Sequence, residues 1–386
     1  MGSEGSNEYQ IFLLILFLIN MLFRIDQYIR IKRIKVIEIA VLLIPILFFC
    51  LILSNGVRYG YFTGEVKSHM VYLLVWQYMA IFAVLNLRDF CDLSDVIDAL
   101  DWFVLIVFLG GLRAVLASAG DVSNSLDTFG GATYQSASYF MAFAFGINTF
   151  LLMIKKKTVY LSRLNIVTNS VCRMFLSAAL VCFVLFTGGR AGIVLIMVYL
   201  SVLTWWTFQD ERFSFTIWIL GFLMCMGLLA FIVTVLIDHP IFYTRIHRVF
   251  EYISGAGIDF SKTSGRDIIY GIYQEFIKER PIAGYGILAS SYLEHYEPHN
   301  FILQVLFEGG FLYLLFWTGI LAALYSRWRN QEGLEKYFLI IVMLYPLIHL
   351  MFSANYVIDE VFWFSLIWAV LIHGEKGDSQ KVRKRV

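Results

Sequence analysis

Long apolar runs follow one another through most of this 386-residue chain. A hydrocarbon core roughly 30 Å thick needs about 20 apolar residues for each helical crossing. About eleven runs approach that length, and they centre on residues 11–23, 36–54, 68–86, 102–119, 134–153, 172–188, 191–208, 214–237, 299–325, 337–353 and 360–373. The alternating pattern of a membrane barrel is absent, so each run is predicted to be a helix. With 59% hydrophobic and 15% charged residues, we expect an all-α polytopic integral membrane protein.

The basic residues predict how the chain lies in the membrane. They follow the first, fifth and ninth runs and fill the C-terminal tail: Arg24, Arg30, Lys32, Arg33, Lys35, Lys155, Lys156, Lys157, Arg163, Arg327, Arg329, Lys336, Lys376, Lys381, Arg383, Lys384 and Arg385. With eleven crossings all of them fall on one side, which the positive-inside rule makes cytoplasmic. The N-terminus is therefore predicted outside and the C-terminus in the cytoplasm. The first run is expected to be a retained helix.

Several classes of function lack their sequence signals. A net charge of +1, with topogenic basic residues, gives no reason to expect nucleic acid as a partner. The five cysteines lie in apolar runs or on the predicted inner side, so no disulfide framework is expected. The chain has no phosphate-binding Gly-x-x-x-x-Gly-Lys loop and no zinc motif. Neither a cofactor nor a metal is predicted.

One polar segment, residues 238–298, separates the eighth and ninth runs. Four of the seven histidines lie in it or at its end: His239, His247, His295 and His299. The predicted orientation places this segment outside the membrane. We expect a single membrane domain, 1–386, that carries 238–298 as its one large extracytoplasmic loop.

Part of this loop is predicted to be a helix. Ser264 has the character of an N-cap with Asp267 three residues on, and an apolar stripe follows from Ile268 to Ile277. Arg280-Pro281 ends the helix, and Gly284-Tyr285-Gly286 forms a turn. We expect this amphipathic helix to lie on the membrane surface or to roof a cavity. Arg266 falls in its first turn, where the helix dipole favours an anion; a solvated surface arginine is the alternative.

Two more arginines lie close to the apolar runs. The segment Thr187-Gly188-Gly189-Arg190-Ala191-Gly192 divides a long apolar stretch into two helices and places Arg190 at the outer surface. Simple snorkelling is the competing explanation, whereas the glycines allow a ligand or a helix to approach closely. Arg113 lies about two turns inside the fourth run, where packing or pairing with a carboxylate competes with ligand contact.

Pro298-His299-Asn300 marks the point where the loop re-enters the membrane. A histidine here can accept a proton from a hydroxyl, orient it or bond a phosphate. It can equally be an interfacial cap. Glu308 lies nine residues further on, on nearly the opposite face of an undistorted helix, so helix packing is the role we favour for it.

These motifs resemble the O-antigen polymerase and ligase family. The resemblance rests on Thr-Gly-Gly-Arg190-Ala-Gly, on Ser-Gly-Arg266-Asp before an amphipathic helix that ends Arg-Pro-Ile-Ala-Gly-Tyr-Gly, and on Pro-His299-Asn-Phe-Ile-Leu-Gln-Val-Leu-Phe-Glu308-Gly-Gly. It covers roughly residues 180–315 in motifs and the whole chain in helix layout. The segment 129–137 also resembles a family segment that opens a helix. Many relatives have serine where Gly189 stands.

The resemblance implies a glycosyltransferase-C-like membrane enzyme that is inverting and independent of metal. It would polymerise polyprenyl-diphosphate-linked oligosaccharides into O-antigen or capsular polysaccharide on the outer face of the bacterial cytoplasmic (inner) membrane. Arg190 and Arg266 would bind the diphosphate, and His299 would position or deprotonate the acceptor hydroxyl. Further candidates for substrate contact are Arg113, Arg280 and Asn300. Membrane lipid, a chain-length regulator and a flippase are the implied partners.

Two other functions are compatible with parts of the sequence. An O-antigen ligase would use the same donor but would transfer the finished glycan to a lipid core or a protein. A flippase or transporter would carry charges through the middle of its helices and paired broken helices. The charges here cluster at one face, which favours an enzyme over a transporter.

Overall fold

The computed structural model describes residues 7–31, 34–60, 64–118, 134–163, 165–187, 189–211, 215–216, 219, 221, 223, 227, 230, 253–254, 257–258, 266–293, 297–329 and 334–371. They divide into two compact units. Unit 1 comprises Met1–Gln10 and Leu93–Lys262, and unit 2 comprises Ile11–Asp92 and Thr263–Val386.

The described residues are almost entirely helical. The helices are α1 (Asn7–Ile31), α2 (Val36–Tyr59), α3 (Gly64–Phe90), α4 (Leu93–Ser118), α5 (Tyr134–Met153), α6 (Ile166–Thr187), α7 (Arg190–Gln209), α8 (Arg266–Glu279), α9 (Ser290–Leu293), α10 (Phe301–Arg329), α11 (Leu334–Phe352) and α12 (Glu360–Leu371). Two short strands, β1 (Ile253–Ser254) and β2 (Gly257–Ile258), pair in antiparallel orientation, with Ile253 opposite Ile258.

Seven helices within the described ranges are long and apolar enough to cross a membrane. They cover Val36–Arg58, Val66–Phe90, Gln135–Met153, Ile166–Thr187, Arg190–Gln209, Phe301–Ser326 and Leu334–Phe352. The helical, multi-pass character of the protein is thereby confirmed. The predicted runs at 11–23, 102–119 and 360–373 fall in or overlap α1, α4 and the shorter α12, and most of 214–237 lies outside the described residues. Eleven crossings and the orientation of the termini stay predictions.

In unit 1, α5 is the central helix and packs against α4, α6 and α7. In its membrane-length segment, 89% of the residues are buried, as expected of a helix that is apolar on all sides. Its polar residues are bonded inside the unit: the Asn148 side-chain amide donates to the carbonyl of Arg173 at 2.7 Å and to the Ser177 hydroxyl at 2.8 Å.

A buried ion pair connects α4 to α6. Arg173 Nη1 lies 2.9 Å from Asp101 Oδ1, and both side chains are at most 2% exposed. Arg173 Nη1 also donates to Asn148 Oδ1 at 3.0 Å, and the second Asp101 oxygen accepts the Val159 N–H at 2.8 Å. Because each charge has its partner and further hydrogen bonds, the pair is tolerated in an apolar setting.

In unit 2, α3 packs against α2 and α12, and α10 packs against α8, α11 and α12. Arg24, Glu38, Arg88 and Asp89 form a network of four charges between α1, α2 and α3. One oxygen of the Glu38 carboxylate lies 3.2 Å from Arg24 Nη2, and the other lies 2.5 Å from Arg88 Nη2. Arg88 Nε lies 2.8 Å from Asp89 Oδ1. Arg24, one of the basic residues used above to predict the orientation, is only 2% exposed. Its charge is therefore bonded inside unit 2.

The Arg173–Asp101 pair leads to a stability prediction. Asp101→Asn leaves the arginine charge buried and uncompensated, so it should cost about 3–5 kcal/mol of unfolding free energy. Asp98→Asn is the matched control on the same helix. Asp98 lies 3.0 Å from Lys156, and the two side chains are 41% and 34% exposed. An exposed ion pair of this kind contributes about 0–1 kcal/mol to the unfolding free energy. Thermal denaturation in detergent measures both. Equal losses in the two variants would contradict the account of the buried pair.

Candidate functional site

A break in α10 organises the part of unit 2 where the predicted site residues lie. Gly310 has φ 62° and ψ −159°, which interrupts the helix. The segment from Pro281 to Gly286 occupies the break. Tyr285 N and Gly286 N donate to the carbonyls of Phe307 and Glu308 at 2.9 and 2.7 Å. In return, the carbonyls of residues 281 and 282 accept the N–H groups of residues 311 and 312 at 2.8 and 3.3 Å. The backbone groups freed by the break thus find partners, as a membrane protein requires.

The predicted loop helix is α8, which starts at Arg266 and ends at Glu279. Tyr273 is fully buried and clusters with Tyr285, Ala289 and Phe307. Its ring packs edge-on to Phe307, with centroids 4.7 Å apart. Ile268, which we assigned to the apolar stripe, is instead 66% exposed. The Ser264 cap lies outside the described residues, and placement of 238–298 relative to the membrane stays a prediction.

Glu308 lies inside this packed region. It is 1% exposed. One carboxylate oxygen accepts the Leu288 N–H and the Gln304 side-chain amide, both at 3.1 Å, and the other accepts the Tyr356 hydroxyl. Because its acceptors are occupied within unit 2, Glu308 has the packing role that the sequence favoured.

Arg266 is held against the end of α11. Its Nη2 donates to the carbonyl of Phe352 at 2.6 Å, and its guanidinium carbon lies 5.9 Å from the centre of the Phe352 ring. A guanidinium has five N–H donors, so this bond fixes the group while other donors remain for a ligand. Arg266 is also the first residue of α8, where unpaired backbone N–H groups favour an anion.

His299 precedes α10 instead of lying on it. Its φ is 47°, in the left-handed region where histidine is among the enriched residues. The side chain is 42% exposed, and Nδ1 lies 4.0 Å from Glu297 Oε2. The Ser353 backbone bonds the ring. His299 and Arg266 therefore contact neighbouring residues, 353 and 352, at the end of one helix.

Burial lowers the pKa of His299 below its ordinary value of 6.5. The negative charge of Glu297 acts in the opposite direction, and the charges of Arg266 and His349 lower the pKa further. The imidazole is therefore held neutral near neutral pH. A neutral imidazole can accept a proton.

Four polar residues that the sequence reasoning did not assign to the site form two bonded pairs at or near the ends of the segments that hold Arg266 and His299. His349 Nδ1 lies 2.9 Å from Asp359 Oδ2, and the Asn355 side-chain amide donates to Glu297 Oε1 at 2.8 Å. His349 ends an apolar run and Asp359 precedes the next one. Charged or titratable residues at such places are functional candidates in membrane proteins, and this was the signal available in the sequence.

The structure gives local contacts to the two further candidates in unit 2. Asn300 caps α10, because its side-chain oxygen accepts the N–H groups of Ile302 and Leu303, both at 3.1 Å. Arg280 directly follows α8, and its guanidinium carbon lies 4.5 Å from the centre of the Tyr285 ring. Both contacts explain the residues structurally; their contact with substrate stays a prediction.

Arg190 and Arg113 belong to unit 1. The predicted division of the long apolar stretch is present, since α6 ends at Thr187 and α7 begins at Arg190 with Gly189 as N-cap. The Ser138 hydroxyl donates to the Gly189 carbonyl at 3.1 Å. A Cβ at residue 192 would lie 2.0 Å from Ser138 Oγ. Glycine at this position therefore allows α5, which carries Ser138, to approach closely. Arg113 lies near the end of α4 and is exposed.

The inserted segment can be tested by glycine substitution. Gly284 has φ +59°, and a Cβ there would lie 2.5 Å from backbone atoms of residues 307 and 308. Gly284→Ala should therefore cost at least about 1–2 kcal/mol in left-handed backbone strain alone. Gly271→Ala is the control: it lies inside α8 with no atom within 4 Å of the added Cβ, and should stabilise by about 0.5–1 kcal/mol. Thermal denaturation in detergent measures whether each variant is less or more stable than the wild type. Unchanged stability of Gly284→Ala would contradict the close packing of residues 281–286 against the break in α10.

Comparison with known proteins gives one relationship. No curated protein matches the chain. A model of the O-antigen ligase family matches residues 175–318, a stretch that contains Arg190, Arg266 and His299. Members of this family transfer glycans. The match agrees with the resemblance predicted from the motifs: over residues 175–318, this multi-pass membrane protein is similar to the O-antigen ligase family.

Proposed function

We propose that the protein is an inverting, metal-independent glycosyltransferase that polymerises polyprenyl-diphosphate-linked oligosaccharide repeat units. The product is O-antigen or capsular polysaccharide, made on the outer face of the bacterial cytoplasmic membrane. The observation that carries this proposal is the position of Arg266 and His299, which bond to the backbone of residues 352 and 353 at the end of α11. A fixed cation and a neutral imidazole thus lie together in unit 2.

The leaving group explains the need for arginine. When the bond from the anomeric carbon to the donor breaks, negative charge grows on the polyprenyl diphosphate, and fixed donors stabilise that charge. A guanidinium bonds phosphate oxygens in a bidentate manner, which a lysine ammonium cannot do. The first turn of α8 adds backbone N–H groups beside Arg266. These groups supply charge compensation in place of a metal.

His299 supplies the other half of the reaction. The acceptor hydroxyl attacks the anomeric carbon from the side opposite the diphosphate, which inverts the configuration. The hydroxyl proton passes to the neutral imidazole, and general base catalysis of this kind contributes typically 10²–10⁴-fold. The lowered pKa of His299 keeps the ring in the form that can accept the proton.

The resemblance gives Arg190 the same diphosphate-binding role as Arg266. Its place at the first residue of α7 supports this, since the start of a helix favours an anion. Arg113, Arg280 and Asn300 are proposed as further substrate contacts. A chain-length regulator and a flippase are the proposed protein partners, and the lipid tail of the donor would lie between helices.

A ligase is the second candidate, favoured by the description of the matching family. The donor, the arginines and the histidine would act in the same way. Only the acceptor differs, because a ligase needs a separate lipid core or protein to receive the finished glycan. The two activities are separated by supplying or withholding that acceptor.

Arg266→Ala tests the donor site. Loss of one fixed donor to the growing charge should lower the rate of sugar transfer by about 10²–10³-fold, measured with purified protein and synthetic lipid-linked repeat units. Lys278→Ala is the control, because it removes an exposed cation from the same helix that pairs only at the surface, with Glu275 at 2.6 Å. Equal activity of both variants would rule out the assignment of Arg266.

The pH dependence tests His299. Transfer should be lost as the pH falls through the lowered pKa of His299, because protonation removes the base. Glu297→Gln takes away the charge that raises this pKa, while its amide oxygen can still accept the Asn355 N–H. The acid limb of the pH–rate profile should then move to lower pH. A limb that stays in place, or moves upward, would show that His299 is not the titrating group.

A further inference from the structure

Glu308 is a buried carboxyl group that takes no part in the proposed reaction. It lies in α10, two residues before the break at Gly310, and is 1% exposed. Three donors reach its two oxygens: the Leu288 N–H and the Gln304 side-chain amide, both at 3.1 Å, and the Tyr356 hydroxyl. A carboxyl group buried among apolar helices is costly unless its oxygens are bonded. The three donors come from three separate segments of unit 2, so one side chain joins all of them.

The bond to Gln304 fixes the chain that directly follows His299. Gln304 is 1% exposed, and its N–H donates to the carbonyl of Asn300 at 2.9 Å, which closes the first turn of α10. Glu308 lies one turn further along, where a bond between side chains four residues apart stabilises a helix. His299 itself has φ 47°, a conformation that persists in a residue other than glycine only where its surroundings hold it.

The bond to Tyr356 fixes the chain that leads into His299. Tyr356 is fully buried and lies in the turn between α11 and α12. Its neighbour Asn355 donates from its side-chain amide to Glu297 Oε1 at 2.8 Å, and Glu297 lies two residues before His299. The turn that Glu308 holds is therefore bonded to the segment on the other side of the histidine.

The bond to Leu288 joins the inserted segment to the same carboxyl group. Leu288 is fully buried and has φ 61°, in the left-handed region that leucine rarely adopts. Its N–H bond to the Glu308 side chain holds this conformation. The backbone carbonyl of Glu308 also accepts the Gly286 N–H at 2.7 Å. Glu308 thus contacts the inserted segment through both its side chain and its backbone.

We propose that Glu308 is a positioning residue for His299, because its carboxyl group holds the chain on both sides of the histidine. The inference rests on the proposed function. Glu308 acts through Gln304 and Tyr356 and keeps the imidazole of His299 where the acceptor hydroxyl gives up its proton. Misplacement of a reacting group by about 1 Å can lower a rate by about 10²-fold, so a distant carboxyl group that fixes this position controls the rate of transfer.

The first test observes His299 without any transfer reaction. Full-length protein with ring-labelled histidine is studied by NMR in detergent, and His299→Gln identifies the His299 signal. Glu308→Gln keeps the size of the side chain but turns one acceptor oxygen into a donor that faces other donors, so the His299 signal should shift. Glu275→Gln makes the same change at a side chain of α8 that is 71% exposed and should leave the signal in place. An unchanged signal in Glu308→Gln would overturn the proposal.

A smaller change gives the same test if Glu308→Gln does not fold. Tyr356→Phe removes one hydroxyl donor to Glu308 and keeps the ring that packs edge-on to Trp317, with centroids 5.5 Å apart. The His299 signal should again shift. Tyr325→Phe is the control, because it removes the hydroxyl of a tyrosine of α10 that is 60% exposed, and it should cause no shift. A His299 signal that is the same in both tyrosine variants would also overturn the proposal.

The last test uses transfer from synthetic lipid-linked repeat units. Glu308→Gln should lower kcat by about 10²-fold with little change in KM, because it displaces the base. In a His299→Gln background the same substitution should change the residual kcat little, since the base that it positions is absent.

A general structural defect would instead lower kcat by the same factor in both backgrounds, and that result would overturn the positioning role. Inactive wild type would count against the proposed function, while the NMR signal still decides whether Glu308 holds His299 in place.

Discussion

The filling of the break in α10 is the interaction on which the rest of unit 2 depends. A helix interrupted at Gly310 frees carbonyl and N–H groups that lipid cannot satisfy. The segment from Pro281 to Gly286 bonds four of them. Only Arg280 separates this segment from the end of α8, so the backbone bonds also fix the helix that begins with Arg266. A polar loop is thereby joined to an apolar helix through its backbone, with Tyr273 and Phe307 packed between them.

A second consequence concerns charge. The end of α11 provides backbone contacts for Arg266 and His299 and carries His349 in its last turn. The positive charge of Arg266 thus lies near a histidine whose pKa is lowered, while Glu297 supplies the opposite charge close by. A reaction that expels an anion and releases a proton needs these two properties together: fixed positive charge for the leaving group and an uncharged base for the acceptor.

Sequence patterns predicted the parts that depend on local signals. Apolar length identified the helices, and the polar start and apolar stripe identified α8 with Arg266 at its first residue. The break at residue 310 was missed because a Gly-Gly pair in an apolar run is compatible with a straight helix. His349 and Asp359 were missed because ten residues separate them, and only the turn between α11 and α12 brings them to 2.9 Å. Contacts made by tertiary folding leave no fixed spacing in a sequence.

The most direct measurement is the product formed from lipid-linked repeat units alone. Purified protein in lipid nanodiscs, with a chelator present and no other acceptor, should convert them into a ladder of polymers. Nuclear magnetic resonance of the new linkage should show the anomeric configuration inverted relative to the donor. Product that appears only after a lipid core or protein acceptor is added would make the protein a ligase. A retained configuration, or a strict need for a divalent metal, would contradict the mechanism.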